Sequence, residues 1–280
     1  MLTRLLLFVA LVAVGRAADP ARAKENTEAK FTWSDLLPRA FQKNPRLNVA
    51  LHTETTPAGK KLPAASAQHP VYYILLDRGM SEAGEIVAGE RPPPPAKLAD
   101  LMRNALAASG YQPGTREHPP TIAICYIWGS YNHLDPIDPS ESVDLTDPSF
   151  LKNVRDRAML VGGPAFSGQL LRALDQRNVN FFRLSDPRYD EMVDLALGDL
   201  YFVLALAFEP DPNHHKELIW TTAICTDSSA MTMDETLPAL VSLGQSHFGH
   251  ETSATLVHPR LYGGHVEIGE SVVVPDAPPK

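Results

Sequence analysis

A strand, a helix and a second strand follow one another along the chain, and this order restricts the possible folds more than any other feature. Residues 71–76 form a compact run of aromatic and branched side chains, which predicts a buried strand. Residues 121–128 predict the second strand. Between them, one apolar face recurs at helical spacing through Leu98, Leu101, Met102, Ala105 and Leu106. Two strands joined by a helix form a parallel βαβ unit, whose crossover is almost always right-handed.

The second half of the chain predicts a hairpin and further helices. Residues 199–208 and 217–225 are apolar strands with a short connection, so we expect them to pair as an antiparallel β-hairpin. Helices are predicted at 151–161 and 165–174, with Gly162-Gly163-Pro164 between them, and an edge strand at 265–274. The predicted fold class is α/β, of the α+β kind. It is a single mixed β-sheet with a βαβ unit and a β-hairpin, and helices pack on it.

Prolines indicate where several helices begin. Asp147-Pro148 and Asp186-Pro187 each place a capping carboxylate before a proline at the first helical position, where the missing N–H costs nothing. Thr232 and Glu235 have the spacing of a capping box. Because Pro238 would then lie inside the helix, we expect that helix to begin at Thr236 instead.

The first residues have the layout of a secretory signal peptide. Arg4 precedes an apolar run at residues 5–14, and the small residues Gly15 and Ala17 follow it. Cleavage is expected after Ala17, with Ala23 as the later alternative. The run is about half of the ~20 residues that a spanning helix needs, and no lipidation cysteine follows either site. We therefore expect an exported, soluble protein, periplasmic or extracellular, with no stable membrane anchor after signal removal.

The rest of the chain is predicted to form one domain with an arm in front of it. Residues 18–70 form an N-terminal arm that is partly ordered and includes an amphipathic piece at 33–41. Residues 71–274 form a single α/β domain, and 275–280 form a flexible tail. The 25 prolines among 280 residues mark helix starts, turns and a stiff connector at 92–95.

Charge and composition exclude several classes of protein. The chain has 25 basic and 33 acidic residues, a formal net charge of -8, which argues against a nucleic-acid partner. A hydrophobic content of 44% is too high for a disordered chain. No motif for a cofactor is present, since neither glycine-rich phosphate-binding pattern occurs.

Acidic residues recur at every third position in one proline-containing segment: Asp135, Asp138, Glu141, Asp144 and Asp147. In a polyproline conformation these carboxylates would share one edge, which could attract Ca²⁺ or a cationic partner. The EF-hand pattern is absent. The alternative is a solvated acidic loop in which Asp147 caps a helix.

Histidines near the C-terminus provide the other candidate chemistry. A metal site could involve four of them: His247, His250, His258 and His265. The first pair is also explained by the favourable position of histidine at a helix C-terminus. Ser246 and His247 form the alternative catalytic pair of a hydrolase, although the second glycine is one residue too late for a G-x-S-x-G elbow.

Two cysteines end similar apolar strands. Cys125 and Cys225 could form a disulfide if those strands are adjacent, since an exported protein meets oxidising conditions. The alternative is a pair of buried free thiols.

Three short strings resemble those of exported bacterial proteins of unknown function. They are residues 128–132, 160–163 and 235–238, and the similarity extends from about Trp33 to Glu251. The order of strands and helices is also similar to that of the small α/β domains of envelope lipoproteins, although the lipidation cysteine is missing. With no complete catalytic pattern, the sequence predicts a non-catalytic cell-envelope or periplasmic protein that binds a protein or small-ligand partner. The alternative is an exported hydrolase that uses Ser246 or a metal site at the histidines.

Overall fold

A computed structural model describes residues 46–85, 90–134, 147–175, 187–209, 217–229, 231–262, 265–267 and 271–273. The helices in these ranges are α1 (Pro95–Ala108), α2 (Pro148–Asp175), α3 (Pro187–Leu197) and α4 (Met233–Leu243). The strands are β1 (Val49–Thr55), β2 (Val71–Ala83), β3 (Tyr111–Pro113), β4 (Ile122–Tyr131), β5 (Leu200–Glu209), β6 (Glu217–Asp227), β7 (Thr252–Val257), β8 (Arg260–Tyr262), β9 (His265–Glu267) and β10 (Ser271–Val273). Short 3-10 turns lie at Gly59–Lys61 and Gly244–Ser246.

One mixed sheet of eight strands organises the molecule, in the order β10-β7-β1-β6-β5-β4-β2-β3, and β8 and β9 form a separate pair. β2 pairs in parallel with β3 and with β4, and α1 follows β2 along the chain. β5 and β6 are antiparallel. The predicted fold class, with its βαβ unit and hairpin, is therefore confirmed.

Side chains alternate between two cores, one on each face of the sheet. On β5, Tyr201 and Val203 belong to the core beneath α1 and α4, whereas Leu200 and Phe202 belong to the core beneath α2 and α3. This period of two is what a strand buried on both sides requires. The sheet thus has an α1/α4 face and an α2/α3 face.

The N-terminal arm contributes a strand to the interior of the sheet. β1 lies between β6 and β7, and Val49 is fully buried. β2 is longer than predicted, because the turn-forming residues Asp77 to Gly79 are accommodated by a bulge before Met80. The described part of the arm therefore belongs to the folded core.

α4 begins three residues earlier than the sequence predicted, so the start at Thr236 is wrong. The backbone N–H groups of Glu235 and Thr236 both donate to the Thr232 carbonyl, at 3.2 and 3.0 Å. The Thr236 hydroxyl donates to the same carbonyl at 2.8 Å. These bonds form the first turn on Thr232, and Pro238 inside the helix removes only one later N–H.

α2 is broken where the sequence predicted a break. Gly163 has φ 71° and ψ -167°, a conformation that only glycine adopts readily. Pro164 has no N–H to donate to the Leu160 carbonyl, and the Cys225 thiol donates to that oxygen instead, at 3.5 Å. Across the ranges given above, no helix has the length and apolar character needed to cross a bilayer.

Candidate functional site

None of the described helices packs on one part of the α2/α3 face of the sheet. Its residues lie opposite one another in the strand register: Ile74 beside Ala123, Leu76 beside Cys125, Cys125 beside Leu206, Ala123 beside Phe208, and Phe208 beside Leu218. Tyr72 precedes them on β2 in the same alternation. We call this surface the open face, and it comprises Tyr72, Ile74, Leu76, Ala123, Cys125, Leu206, Phe208 and Leu218.

The open face is apolar and accessible. Ile74 and Leu76 are 49% and 38% exposed, and the other members are half-buried. Neither core cluster includes any of them, because the cover of α2 and α3 ends at Ile127 and Leu204. Contiguous exposed apolar patches on a domain mark interaction sites more often than isolated apolar side chains do.

An aromatic stack borders the open face. The rings of Tyr72 and His118 are parallel within 7°, with centroids 4.6 Å apart. His118 lies in the loop between β3 and β4, so this loop forms one rim of the surface. An exposed apolar patch with an aromatic rim suits the side chains of an apolar partner segment better than it suits a polar substrate.

The described residues around Ser246 do not form a catalytic triad. Ser246 is exposed at the end of the 3-10 turn that follows α4. Within the described ranges its hydroxyl makes no hydrogen bond to a histidine, and the nearest partner of His247 Nδ1 is the Thr252 hydroxyl at 3.5 Å. Burial and the charge of His250 lower the pKa of His247, and among the described residues no carboxylate is hydrogen-bonded to its ring.

The candidate histidines make different contacts. His250 Nε2 lies 3.0 Å from the Ser109 carbonyl, whereas His258 lies 3.2 Å from Asn48 Oδ1 and 3.4 Å from Glu191 Oε2. His265 belongs to β9. Among the side chains that the structure describes, no three His, Cys, Asp or Glu residues are grouped so as to hold a metal ion.

Asp147 caps α2. Its carboxylate accepts hydrogen bonds from the backbone N–H groups of Ser149 at 3.1 Å and Phe150 at 3.3 Å. This is the N-cap role that the sequence offered as the alternative. The other members of the acidic edge, Asp135, Asp138, Glu141 and Asp144, lie outside the described residues.

The two cysteines are free thiols, so the disulfide interpretation is wrong. β5 separates their strands, since Cys125 pairs with Leu206 and Cys225 pairs with Phe202. They therefore lie two strands apart and at different levels of the sheet, beyond the reach of a disulfide. Cys125 lies on the open face, whereas burial raises the pKa of the Cys225 thiol and makes it unreactive.

A polar cluster at the carboxyl ends of β2 and β4 was missed by the sequence reasoning. The Ser130 hydroxyl donates to Glu90 Oε2 at 3.1 Å, and Asp199 Oδ1 accepts from the His133 backbone N–H at 2.8 Å. Burial raises the pKa of Glu90, and the charge of Glu82 adds to that effect. Ligands often bind at the carboxyl ends of parallel strands. The predicted parallel pairing of β2 and β4 could therefore have directed attention to the polar residues that follow these strands.

Comparison with known proteins leaves the fold and the open face as the main guides to function. No protein-family model matches the chain, and no curated protein matches it. Among solved structures it is similar to a DUF4136 family protein from Bacteroides thetaiotaomicron, at 14% identity. That similarity covers 71% of this chain and 93% of the other, with a TM-score of 0.30. Similarity at that level carries no conclusion about activity.

Proposed function

We propose that the chain is an exported, non-catalytic protein of the cell envelope or periplasm that binds an apolar segment of a protein partner on its open face. The signal-like N-terminus supports export. The observation that carries the proposal is the pair of exposed side chains Ile74 and Leu76, on a sheet face whose neighbours are also apolar. Burying such a surface against a partner is favourable in proportion to its area.

Photo-crosslinking in the intact envelope tests this function. A photoreactive amino acid at Ile74 should form discrete adducts with a partner. The matched control is the same amino acid at Met159, a comparably exposed apolar residue of α2 on another surface, 39% exposed. Adducts from Ile74 and none from Met159 are expected. The proposal is contradicted if Ile74 gives no adduct, or if both positions capture the same proteins.

A fluorophosphonate probe tests the competing hydrolase. We expect no labelling, because among the described residues no histidine is hydrogen-bonded to the exposed Ser246 hydroxyl, and His247 Nδ1 faces the Thr252 hydroxyl instead. Stoichiometric labelling that a Ser246→Ala substitution abolishes would replace the binding function with catalysis.

A further inference from the structure

The outer edge of β2 borders the open face, and beyond β3 none of the described strands pairs with it. We propose that the partner binds there as an added β-strand. An extended segment of another protein would pair with the backbone of residues 74–77 and place alternate apolar side chains beside Ile74 and Leu76. The inference rests on the proposed function, because it names how the apolar partner segment is held at the same surface.

The hydrogen bonds of β2 show which of its backbone groups point to each edge. On the β4 side, the Thr121 N–H donates to the Tyr72 carbonyl at 2.8 Å. On the β3 side, the Gly114 N–H donates to the Tyr73 carbonyl at 2.9 Å. Adjacent residues of β2 therefore direct their backbone groups to opposite edges, as in any strand of a sheet.

The same alternation places unpaired groups on the outer edge beyond Tyr73. Ile74 and Leu76 pair with β4, whereas Leu75 and Asp77 direct their N–H and C=O groups outward. β3 pairs with β2 along three residues and ends at Pro113. Among the described residues, no strand therefore lies beside the outward groups of residues 74–77.

Two features protect the rest of this edge from strand addition. β3 covers the edge at residues 71–73. Exposed charges at residues 77–78 and the bulge that follows them interrupt it further along. Residues 74–76 carry no charge, proline or bulge. The unprotected stretch therefore coincides with the exposed apolar pair Ile74 and Leu76.

The chemistry of the edge indicates what kind of segment fits. Outward N–H and C=O groups are complementary to an extended peptide, which gives each of them a partner. Alternate side chains of that peptide would lie on the side of the open face, beside Ile74 and Leu76, and should be apolar. The side chains between them would lie on the α1 side, near the exposed Asp77 carboxylate, and should be polar.

A second copy of this chain fits the edge less well than a flexible segment does. Two β2 edges could pair only along residues 74–77, because β3 and the bulge limit each copy. A stable interface between two folded proteins buries about 800 Å² on each side, from roughly 20–30 residues. A flexible segment can pair over this short stretch and then continue across the open face.

Hydrogen exchange of the β2 amides tests the pairing in the full chain. The probe is the peptide Lys-Thr-Val-Thr-Val-Thr-Lys with blocked ends, which alternates apolar and polar residues. With saturating peptide, exchange of the Leu75 amide, followed by NMR, should slow about tenfold or more, because an edge donor becomes hydrogen-bonded. The Ile74 amide is the control, since it is already paired with β4, and its rate should not change.

A matched pair of substitutions separates backbone pairing from side-chain contact. Leu75→Pro removes the outward N–H, and an edge strand tolerates proline at such a position. Leu75→Ala shortens the side chain and keeps the N–H. The affinity for the fluorescein-labelled peptide, measured by anisotropy, should be about fivefold or more lower in Leu75→Pro than in Leu75→Ala. In both variants Cys225 should stay unreactive towards N-ethylmaleimide, which shows an intact fold.

Three results would overturn the inference. The first is the absence of peptide binding to the wild type at millimolar concentration. The second is binding that leaves Leu75 exchange unchanged, or that is equally tight in folded Leu75→Pro and Leu75→Ala, because side chains alone would then make the contact. The third is a Leu75 amide that is already protected without peptide. Protection lost on dilution would assign the edge to a second copy of the chain.

Failure of this inference is separable from failure of the proposed function. Crosslinking from Ile74 reports whether a partner reaches the open face, and it does not depend on strand pairing. Adducts from Ile74 together with unchanged Leu75 exchange would retain the function and remove the added strand. The absence of adducts would contradict the function, whatever the peptide does.

Discussion

A buried histidine shows how one side chain couples packing to pH. His52 on β1 lies under the break in α2, where a Cβ on Gly163 would come within 3.3 Å of its ring. Its Nδ1 atom is buried and, among the described residues, has no hydrogen-bond partner. The ring therefore stays neutral in the folded state, and burial lowers the pKa of His52 from 6.5 to about 4.

His52 should make the protein less stable as pH falls. Between pH 6.5 and pH 4 the unfolded chain takes up a proton that the folded chain refuses. The contribution of His52 is complete above the unfolded pKa and declines by about 3 kcal/mol as pH falls through that window. The free energy of unfolding, measured by urea titration at a series of pH values, should therefore depend less on pH when His52 is replaced by Asn. Burial also lowers the pKa of His247 and His258, so the quantity to measure is the difference in pH dependence between the wild type and His52→Asn. The same pH dependence in both proteins would contradict the role given to His52.

At the scale of elements, one arginine holds the end of α3. Arg157 of α2 is 1% exposed and donates to the carbonyls of Leu197 at 2.9 Å and Gly198 at 2.6 Å. These carbonyls end α3, where a cation is favourable and where the helix has unpaired acceptors. Burial lowers the pKa of Arg157 to about 10, which leaves it charged at neutral pH.

Removing that guanidinium should destabilise the α2/α3 face. Arg157→Ala removes a buried guanidinium and its hydrogen bonds to the half-buried Leu197 and Gly198 carbonyls, so we expect a loss of about 3 kcal/mol. Arg155→Ala is the matched control, because Arg155 is exposed and pairs with Asp156 at 3.3 Å on the surface. Its expected cost is below about 0.5 kcal/mol. Equal losses in the two variants, measured by urea unfolding, would show that the buried contacts of Arg157 contribute nothing.

Local sequence patterns predicted the strands and helices well. They did not predict the order of the strands in the sheet, because that order depends on pairs of residues that are remote in sequence. The continuous apolar run of β5 and the helical spacing of α1 are patterns among neighbouring residues, so both elements could be predicted from the sequence. The inner position of β1 depends on pairs such as Val49 with Thr226, which are remote in sequence. The same limit hid the separation of Cys125 from Cys225, because nothing near either cysteine shows that β5 lies between them.

At the scale of the whole molecule, the packing of helices on the sheet determines which apolar side chains of the strands are exposed and available for binding. Ile74 and Leu76 belong to the apolar run 71–76, which predicts a buried strand. If helices covered both faces of the sheet at this point, both side chains would be buried. Among the described residues, the core beneath α2 and α3 extends to Ile127 and Leu204 and does not reach Ile74 or Leu76, which are exposed. A sequence pattern can therefore predict an apolar strand without predicting that one of its faces is a candidate site.

The most direct test of the open face as the binding surface is a footprint of the captured partner on Cys125. Once crosslinking from Ile74 has identified that partner, the alkylation rates of Cys125 and Cys225 are compared with and without it in the full chain. The open-face account predicts that the partner slows alkylation of Cys125 about tenfold or more, while Cys225 stays unreactive. An unchanged Cys125 rate in the presence of saturating partner would contradict it.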